Sequence, residues 1–135
     1  MNTIKAKDAK KINERLRNIY NNQRRRAAEH SSTLDYKLDD LKRLCYAYIN
    51  EPCYYCDKPL TPKTFSFDHI DPIGRPAGHF GISNLRLVCL TCNQRKGMLS
   101  EWEYTSLLSL LDGFGPEPKM DVLSRLRAGG RVKFR

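Results

Sequence analysis

The 135-residue sequence lacks a continuous apolar run of the roughly 20 residues that a helix needs to cross a bilayer. Its first residues, Met1 to Lys11, are polar and lysine-rich and lack the apolar centre of a secretory signal. The first absence excludes a helical membrane protein, and the second excludes a standard secretory leader in this segment. We therefore expect a cytoplasmic protein with no membrane partner.

Acidic residues are also few. The chain has 15 Asp and Glu against 24 Lys and Arg, for a net charge of +9, and residues 1–30 alone hold nine basic and three acidic side chains. Such an excess indicates a polyanionic partner, and nucleic acid ranks before an acidic membrane surface. Because 40% of the residues are hydrophobic and 10% aromatic, the chain can bury a core and is not a disordered basic tail.

Four of the five cysteines occur in pairs. Cys53 and Cys56 form one Cys-x-x-Cys turn, and Cys89 and Cys92 form a second with the same spacing. Two such turns can close a tetrahedron of four sulfurs around Zn²⁺, and four thiolates leave no open coordination position. We therefore predict a structural zinc site. The alternatives are that a single pair binds metal beside two core thiols, or that one pair is a redox motif. Cys45 lies on the apolar face of its helix and is predicted to be a buried thiol.

The pattern of apolar residues predicts an α+β fold in one compact domain. We expect a basic helical N-terminal arm at 1–50, a core at 51–99, and a C-terminal helical segment with a basic tail at 100–135. Helices are predicted at about 7–29, 34–49, 101–111 and 121–127, with a helix start at 93–96. Two antiparallel strands are predicted at 64–67 and 85–88, around a loop at 72–81.

Further details of the helices and of the C-terminal end can be stated from the sequence. Ser32 or Thr33 is predicted to cap the helix at 34–49, and a capping box at Ser100 and Glu103 is predicted to open the helix at 101–111. Trp102 is predicted to pack in the core with the leucines that follow it. The basic C-terminal end comprises Arg125, Arg127, Arg131, Lys133 and Arg135.

Four polar residues of the core segment suggest chemistry. Asp68 and His69 follow the first strand, Asn84 begins the second, and Asn93 follows the last cysteine. Carboxylate and amide oxygens are hard ligands that suit Mg²⁺ or Mn²⁺. A neutral imidazole can accept a proton from water. Together these groups offer what phosphodiester hydrolysis needs, an activated water and a cation on the phosphate.

These motifs, taken in order, resemble the HNH endonuclease family. The matching segments are Cys53-x-x-Cys56, Asp68-His69-Ile70, and the run from Asn84 to Gly97 that contains Cys89-x-x-Cys92-Asn93-x-x-Lys96. More narrowly, they resemble small phage-type enzymes and the phage endonuclease VII group, which resolves DNA junctions. The resemblance covers residues 53–97. It implies a ββα-metal core, also called the His-Me finger, braced by a four-cysteine zinc site and flanked by helices, and a bacterial or phage-infected host.

The resemblance also assigns roles. His69 is the expected general base, and Asp68 and Asn93 are the expected ligands of a catalytic Mg²⁺ or Mn²⁺. Asn84 is expected to fix the loop and orient the base, although it could simply cap a turn. Asn93, where many members have His, could instead cap the following helix. His79 is expected to be a solvated loop residue rather than a substrate contact.

Basic side chains are expected to bind the DNA backbone. Arg24, Arg25 and Arg26 end the first helix, and Arg95 and Lys96 lie in the motif helix. Contacts to phosphates supply affinity without sequence information. The alternatives are a solubilising first helix and a solvated basic face around residues 95 and 96.

The resulting prediction is a metal-dependent DNA endonuclease whose products carry 5′-phosphates, as the resemblance implies. The alternative is a non-catalytic zinc module that binds nucleic acid or protein. RNA remains a third possibility, and duplex, nicked and branched DNA are not distinguished. The helices at 34–49 and 101–111 could pack inward or pair with a second chain in a homodimer.

Overall fold

A computed structural model describes residues 4–128 of the chain. Its elements are α1 (Ala6–Glu29), α2 (Leu38–Tyr48), β1 (Phe65–His69), a 3₁₀ turn (Ile82–Asn84), β2 (Leu85–Cys89), α3 (Leu90–Lys96), α4 (Glu101–Asp112) and α5 (Pro116–Ala128). The predicted α+β architecture is confirmed. Within the described residues, no helix is both long and apolar enough to span a bilayer. The predicted basic tail at Arg131, Lys133 and Arg135 lies outside the described residues.

The centre of the fold is a two-stranded antiparallel sheet. Phe65 pairs with Cys89, Phe67 with Leu87, and His69 with Leu85. Strand β2 runs directly into α3, which packs on β1, so the three elements form a continuous β–β–α unit. The predicted strand pair is confirmed, although β1 extends to His69 and α3 begins three residues before the predicted start.

Helix α1 packs against this unit through one apolar stripe. Ile12 and Leu16 are fully buried in the main core, as the spacing predicted, and the observed helix begins one residue before the predicted start. The Arg15 guanidinium donates to the carbonyl oxygens of Pro62 at 2.7 Å and of Phe65 at 2.7 Å. It also stacks over the Phe65 ring at 4.0 Å. The N-terminal helix is therefore anchored to the start of β1.

The second helix begins later than predicted. It starts at Leu38, where the Asp40 side chain accepts a 2.8 Å hydrogen bond from the backbone N–H of Lys37. The predicted caps at residues 32 and 33 are wrong, because Asp35 reaches across to the backbone N–H of Ile82 instead of entering a first turn. The helix ends at Tyr48, before Asn50 takes a φ of 69°.

The C-terminal helices form a second, smaller core. The capping box is confirmed, since Ser100 Oγ accepts from the Glu103 backbone at 3.2 Å and Glu103 Oε1 accepts from Ser100 at 2.9 Å. Trp102 is 75% exposed, so its predicted place in the core is wrong. Tyr104 and Leu111 supply the buried face of α4, and Trp102 lies two residues from Tyr104, on another side of the helix.

The last helix starts earlier than predicted. Helix α5 begins at Pro116 rather than near residue 121. Proline suits a first helical position because its missing N–H has no intrahelical partner there. Leu123 packs with the buried residues of α4, and α5 also lies against α3. The helical C-terminal segment therefore supports the back of the β–β–α unit.

Candidate active site and metal centre

The four paired cysteines converge at one end of the sheet. Cys53 and Cys56 lie in the turn after α2, Cys89 ends β2, and Cys92 lies in α3. Their sulfurs all lie within 4.8 Å of one another, and the sulfurs of Cys56 and Cys89 are 3.7 Å apart. A tetrahedron with Zn–S bonds of about 2.3 Å has edges of about 3.8 Å. The donor set therefore fits Zn²⁺.

Backbone geometry prepares these sulfurs for metal. The N–H of Cys89 donates to Cys53 Sγ at 3.3 Å, and the N–H of Cys92 donates to Cys89 Sγ at 3.4 Å. Such bonds favour thiolates, which are the form that binds zinc. Asp57 closes the first turn at a φ of 62°. Cys45, in contrast, is buried and does not belong to the cluster, and burial raises its thiol pKa to about 12.

A separate cleft lies where β1 ends. Asp68 and His69 of β1 and Asn93 of α3 line it, together with Gln23 and Arg26 of α1. Its volume is about 160 Å³. Three of the four polar residues that the sequence singled out for chemistry therefore share one opening, and Asn84 is not among the residues that line it.

His69 occupies the end of β1 with its ring against Phe80, at a centroid distance of 5.9 Å. Burial lowers its pKa to about 4, with further lowering from the positive charges of Arg26, Lys96 and His79. The Nε2 atom is buried and has no hydrogen-bond partner within the described residues. The imidazole is therefore neutral near pH 7, and its Nε2 is a buried acceptor without a partner in the described part of the chain.

Asp68 is almost completely buried, with 2% of its surface exposed. Its Oδ1 lies 3.0 Å from Lys96 Nζ, and its Oδ2 accepts a 3.0 Å hydrogen bond from the Tyr55 hydroxyl. Burial raises the pKa of this carboxyl, and the Lys96 ammonium opposes that effect. Each oxygen keeps a second lone-pair position, so the carboxylate can still ligate a cation.

Lys96 is not a surface residue. Its side chain has 0% exposure, and Nζ donates to the His69 carbonyl oxygen at 2.7 Å as well as pairing with Asp68. The prediction that Lys96 binds DNA is therefore wrong, and so is the solvated basic face offered as its alternative. Lysine at this position holds the end of β1 against α3.

Asn84 ties the loop after β1 to the start of β2. Its Oδ1 accepts from the Asp71 backbone at 2.9 Å, and its Nδ2 donates to the carbonyl oxygens of Asp71 and His79, both at 2.9 Å. The side chain is buried. These bonds link the two ends of the loop, whereas His79 itself is exposed on it.

Asn93 lies inside α3 rather than at its start. The N-cap is Cys89, so the capping alternative is wrong. Asn93 Nδ2 donates to Ser66 Oγ at 2.8 Å and to the Phe67 carbonyl at 3.1 Å. These bonds fix the amide on β1, and within residues 4–128 no group donates to its Oδ1. The amide oxygen is therefore available as a hard ligand.

The predicted DNA-binding arginines are distributed unevenly. Arg24 and Arg25 are exposed on α1, and Arg25 lies 3.9 Å from Glu29. Arg26 turns to the cleft. Arg95 lies on another side of α3, in a groove with three further basic residues, Lys58, Lys63 and Arg127. The sequence offered no signal that Gln23 belongs to the cleft wall, because only the packing of α1 on β1 places it there.

Comparison with known proteins identifies part of the chain. Residues 53–98 match the family model described as HNH endonuclease, which covers about a third of the sequence. The search of curated proteins found no match. The search of solved structures found none either. The matched segment begins at the first cysteine of the four-sulfur cluster and includes β1, β2 and α3.

Proposed function

We propose that this chain, whose residues 53–98 form an HNH endonuclease domain, hydrolyses DNA phosphodiester bonds in a metal-dependent reaction. The observation that carries the proposal is the shared cleft: a neutral imidazole, a carboxylate and an amide oxygen line one opening in the matched segment. The positive charge of the chain supports DNA as the partner.

His69 acts as the general base in this proposal. A neutral imidazole with an unpartnered nitrogen accepts a proton from a water molecule in the cleft. The water oxygen forms a bond to phosphorus, the bond from phosphorus to the 3′ oxygen breaks, and the departing oxygen takes up a proton from solvent water. The products carry a 5′-phosphate and a 3′-hydroxyl. Asn84 holds the loop that flanks the base, through its bonds to Asp71 and His79.

Asp68 and Asn93 would hold a divalent ion. Their oxygens suit Mg²⁺ or Mn²⁺, whereas four sulfurs already provide a complete site for zinc elsewhere. When bound, this ion supplies positive charge to the phosphate and the departing oxygen. The buried bonds from Lys96 and Tyr55 fix Asp68, and those from Asn93 to β1 fix the amide, so the two ligands are held before any ion arrives.

The domain boundaries belong to the same proposal. We assign residues 1–50 to a basic N-terminal arm, 51–99 to the nuclease core, and 100–135 to a C-terminal segment with a basic tail; the helices of the two flanking segments are described within residues 4–128. The exposed Arg24 and Arg25, with Arg95 in its basic groove, contact DNA phosphates outside the cleft.

Nicking of a supercoiled plasmid tests the proposal. The zinc-loaded protein is expected to nick DNA with Mg²⁺ or Mn²⁺ and to lose activity in EDTA. His69→Ala should reduce the rate by about 10²- to 10⁴-fold, the range for a general base. His30→Gln is the matched control, because His30 is exposed and lies outside the cleft wall. Zinc content, circular dichroism and DNA affinity should be unchanged in both variants.

Two outcomes would overturn the proposal. If no supercoiled, linear, branched or single-stranded substrate is cut with either ion, the non-catalytic zinc module replaces it. If His69→Ala cuts as fast as the His30 control, His69 is not the base. Parallel assays on duplex RNA decide between the two nucleic acids.

A further inference from the structure

Helix α1 contributes to the cleft although it lies outside the matched segment. Gln23 and Arg26 are three residues apart and therefore project from the same side of the helix. Both also line the adjoining groove, which continues past Ser66 and Asn93. Two side chains from the N-terminal helix thus face the residues that carry the proposed chemistry.

We propose that Arg26 is a catalytic residue whose guanidinium binds a non-bridging oxygen of the scissile phosphate. The inference rests on the proposed nuclease function. It assigns Arg26 a contact with the phosphate that reacts. Arg24 and Arg25, in contrast, are proposed to bind other phosphates of the DNA backbone and to contribute only affinity.

The charge of Arg26 is available for an anion. Within residues 4–128 it forms no ion pair, whereas Arg25 has Glu29 nearby and Arg15 is committed to two carbonyl oxygens. Arg26 is also half-buried, while its neighbours Arg24 and Arg25 are exposed. An unpaired guanidinium in a cleft wall is arranged for a ligand with negative charge, and its planar fork matches a phosphate.

Two polar atoms in the cleft wall lack hydrogen-bond partners within the described residues. Gln23 Oε1 and His69 Nε2 are both buried without a partner in the described chain. Buried polar atoms in folded proteins almost always have partners, so each such atom requires an explanation. Water molecules that enter the cleft with the substrate, including the attacking water, would supply donors to both atoms. The wall therefore has acceptors and a cation in one place.

The position of Arg26 is fixed by its neighbours. Ala27, the next residue, is buried, and its carbonyl oxygen accepts from the Ser32 backbone at 2.8 Å. Further along α1, the two bonds from Arg15 hold the helix to the start of β1. The electrostatic effect of Arg26 reaches the base, since its charge is among the causes that lower the pKa of His69. The backbone of Arg26 is therefore held at the cleft wall before substrate binds.

Kinetics of Arg26 variants test the inference. In single-turnover cleavage at saturating DNA, Arg26→Ala should lower the rate about 10²- to 10³-fold, the usual effect of removing one donor to transition-state charge. Arg26→Lys keeps a charge but not the fork, and it should recover only part of the rate. Arg25→Ala should raise the dissociation constant for DNA more than it lowers the saturated rate. Arg43→Ala, an exposed arginine of α2, should change neither.

The outcomes separate this inference from the proposed function. If the unmodified protein does not cut DNA, the nuclease proposal itself fails. If it cuts and Arg26→Ala changes only affinity, Arg26 is an ordinary backbone contact and the inference is wrong. Zinc content and thermal unfolding report whether a variant is folded. If Arg26→Ala unfolds, the folded Arg26→Lys decides: a saturated rate equal to that of Arg43→Ala contradicts the inference, and a rate at least tenfold lower supports it.

Discussion

The buried pair of Asp68 and Lys96 allows a quantitative prediction. Lys96→Met keeps the length of the side chain but removes its charge, which leaves Asp68 without its cation in an interior where both side chains are 2% exposed or less. Removing one partner of a buried ion pair typically costs about 3–5 kcal/mol of folding free energy, because the remaining charge is neither hydrated nor paired. The His69 carbonyl oxygen also loses its 2.7 Å donor. We therefore expect Lys96→Met to lower the free energy of unfolding by about 4–5 kcal/mol at pH 7.5.

The loss should depend on pH. Burial already raises the pKa of Asp68, and removal of the ammonium raises it further. A carboxyl whose folded pKa exceeds its unfolded value takes up a proton more readily in the folded state. The variant therefore gains stability as the pH falls from 7.5 towards the unfolded pKa, and the difference from the unmodified protein should be smaller at pH 5.5.

Urea unfolding of zinc-loaded protein, followed by circular dichroism, measures the effect. Adding Asp68→Asn to Lys96→Met removes both charges and should recover much of the loss. Arg25→Ala is the matched control, since its pair with Glu29 is 69% and 64% exposed and should contribute less than about 1 kcal/mol. A loss below about 1 kcal/mol for Lys96→Met, or one equal to that of the control, would refute the reasoning.

Two further predictions concern the metal centre and the base. Purified protein should hold one Zn²⁺ per chain, measured by elemental mass spectrometry. Cys89→Ser should lose the metal and local structure at the four-cysteine cluster, whereas Cys45→Ser should keep the metal. Retention of zinc by Cys89→Ser would contradict the four-sulfur site. The lowered pKa of His69, about 4, means that this proposed base stays deprotonated well below pH 6.5. The acidic decline of the single-turnover rate should therefore have its midpoint below pH 6, with zinc content checked at each pH, and a midpoint at 6.5 or above would argue against His69 as the titrating group.

The sequence correctly predicted those elements whose structure depends on residues close together in the chain. The stripe at Ile12 and Leu16 was sufficient for α1, and the side chains of Ser100 and Glu103 cap each other without help from elsewhere. The hairpin followed from two short runs of apolar residues. The identical spacing of two cysteine pairs predicted a cluster that the structure places within 4.8 Å.

The wrong predictions concern residues whose positions depend on contacts with distant parts of the chain. Lys96 resembles any basic residue at the end of a helix, and only its contact with Asp68, 28 positions earlier, reveals that it is buried. Trp102 looks apolar, but the orientation of α4 is set by Tyr104 and Leu111 packing against α5. The second helix was predicted too early because the bond from Asp35 to Ile82 spans 47 positions. The placement of Gln23 in the cleft wall depends likewise on how α1 docks.

Anchoring of α1 by Arg15 has a consequence for fragments of this protein. The guanidinium is bound to carbonyl oxygens of Pro62 and Phe65, so one side chain joins the N-terminal helix to the strand that carries His69. A shortened chain that starts after α2 would retain the four-cysteine cluster and the two strands. It would expose the aromatic ring of Phe65, which Arg15 now covers, and it would lose Arg26 from the cleft that His69 lines. Preparations trimmed to the recognisable segment would therefore be expected to aggregate and to underestimate whatever cleavage the intact polypeptide performs.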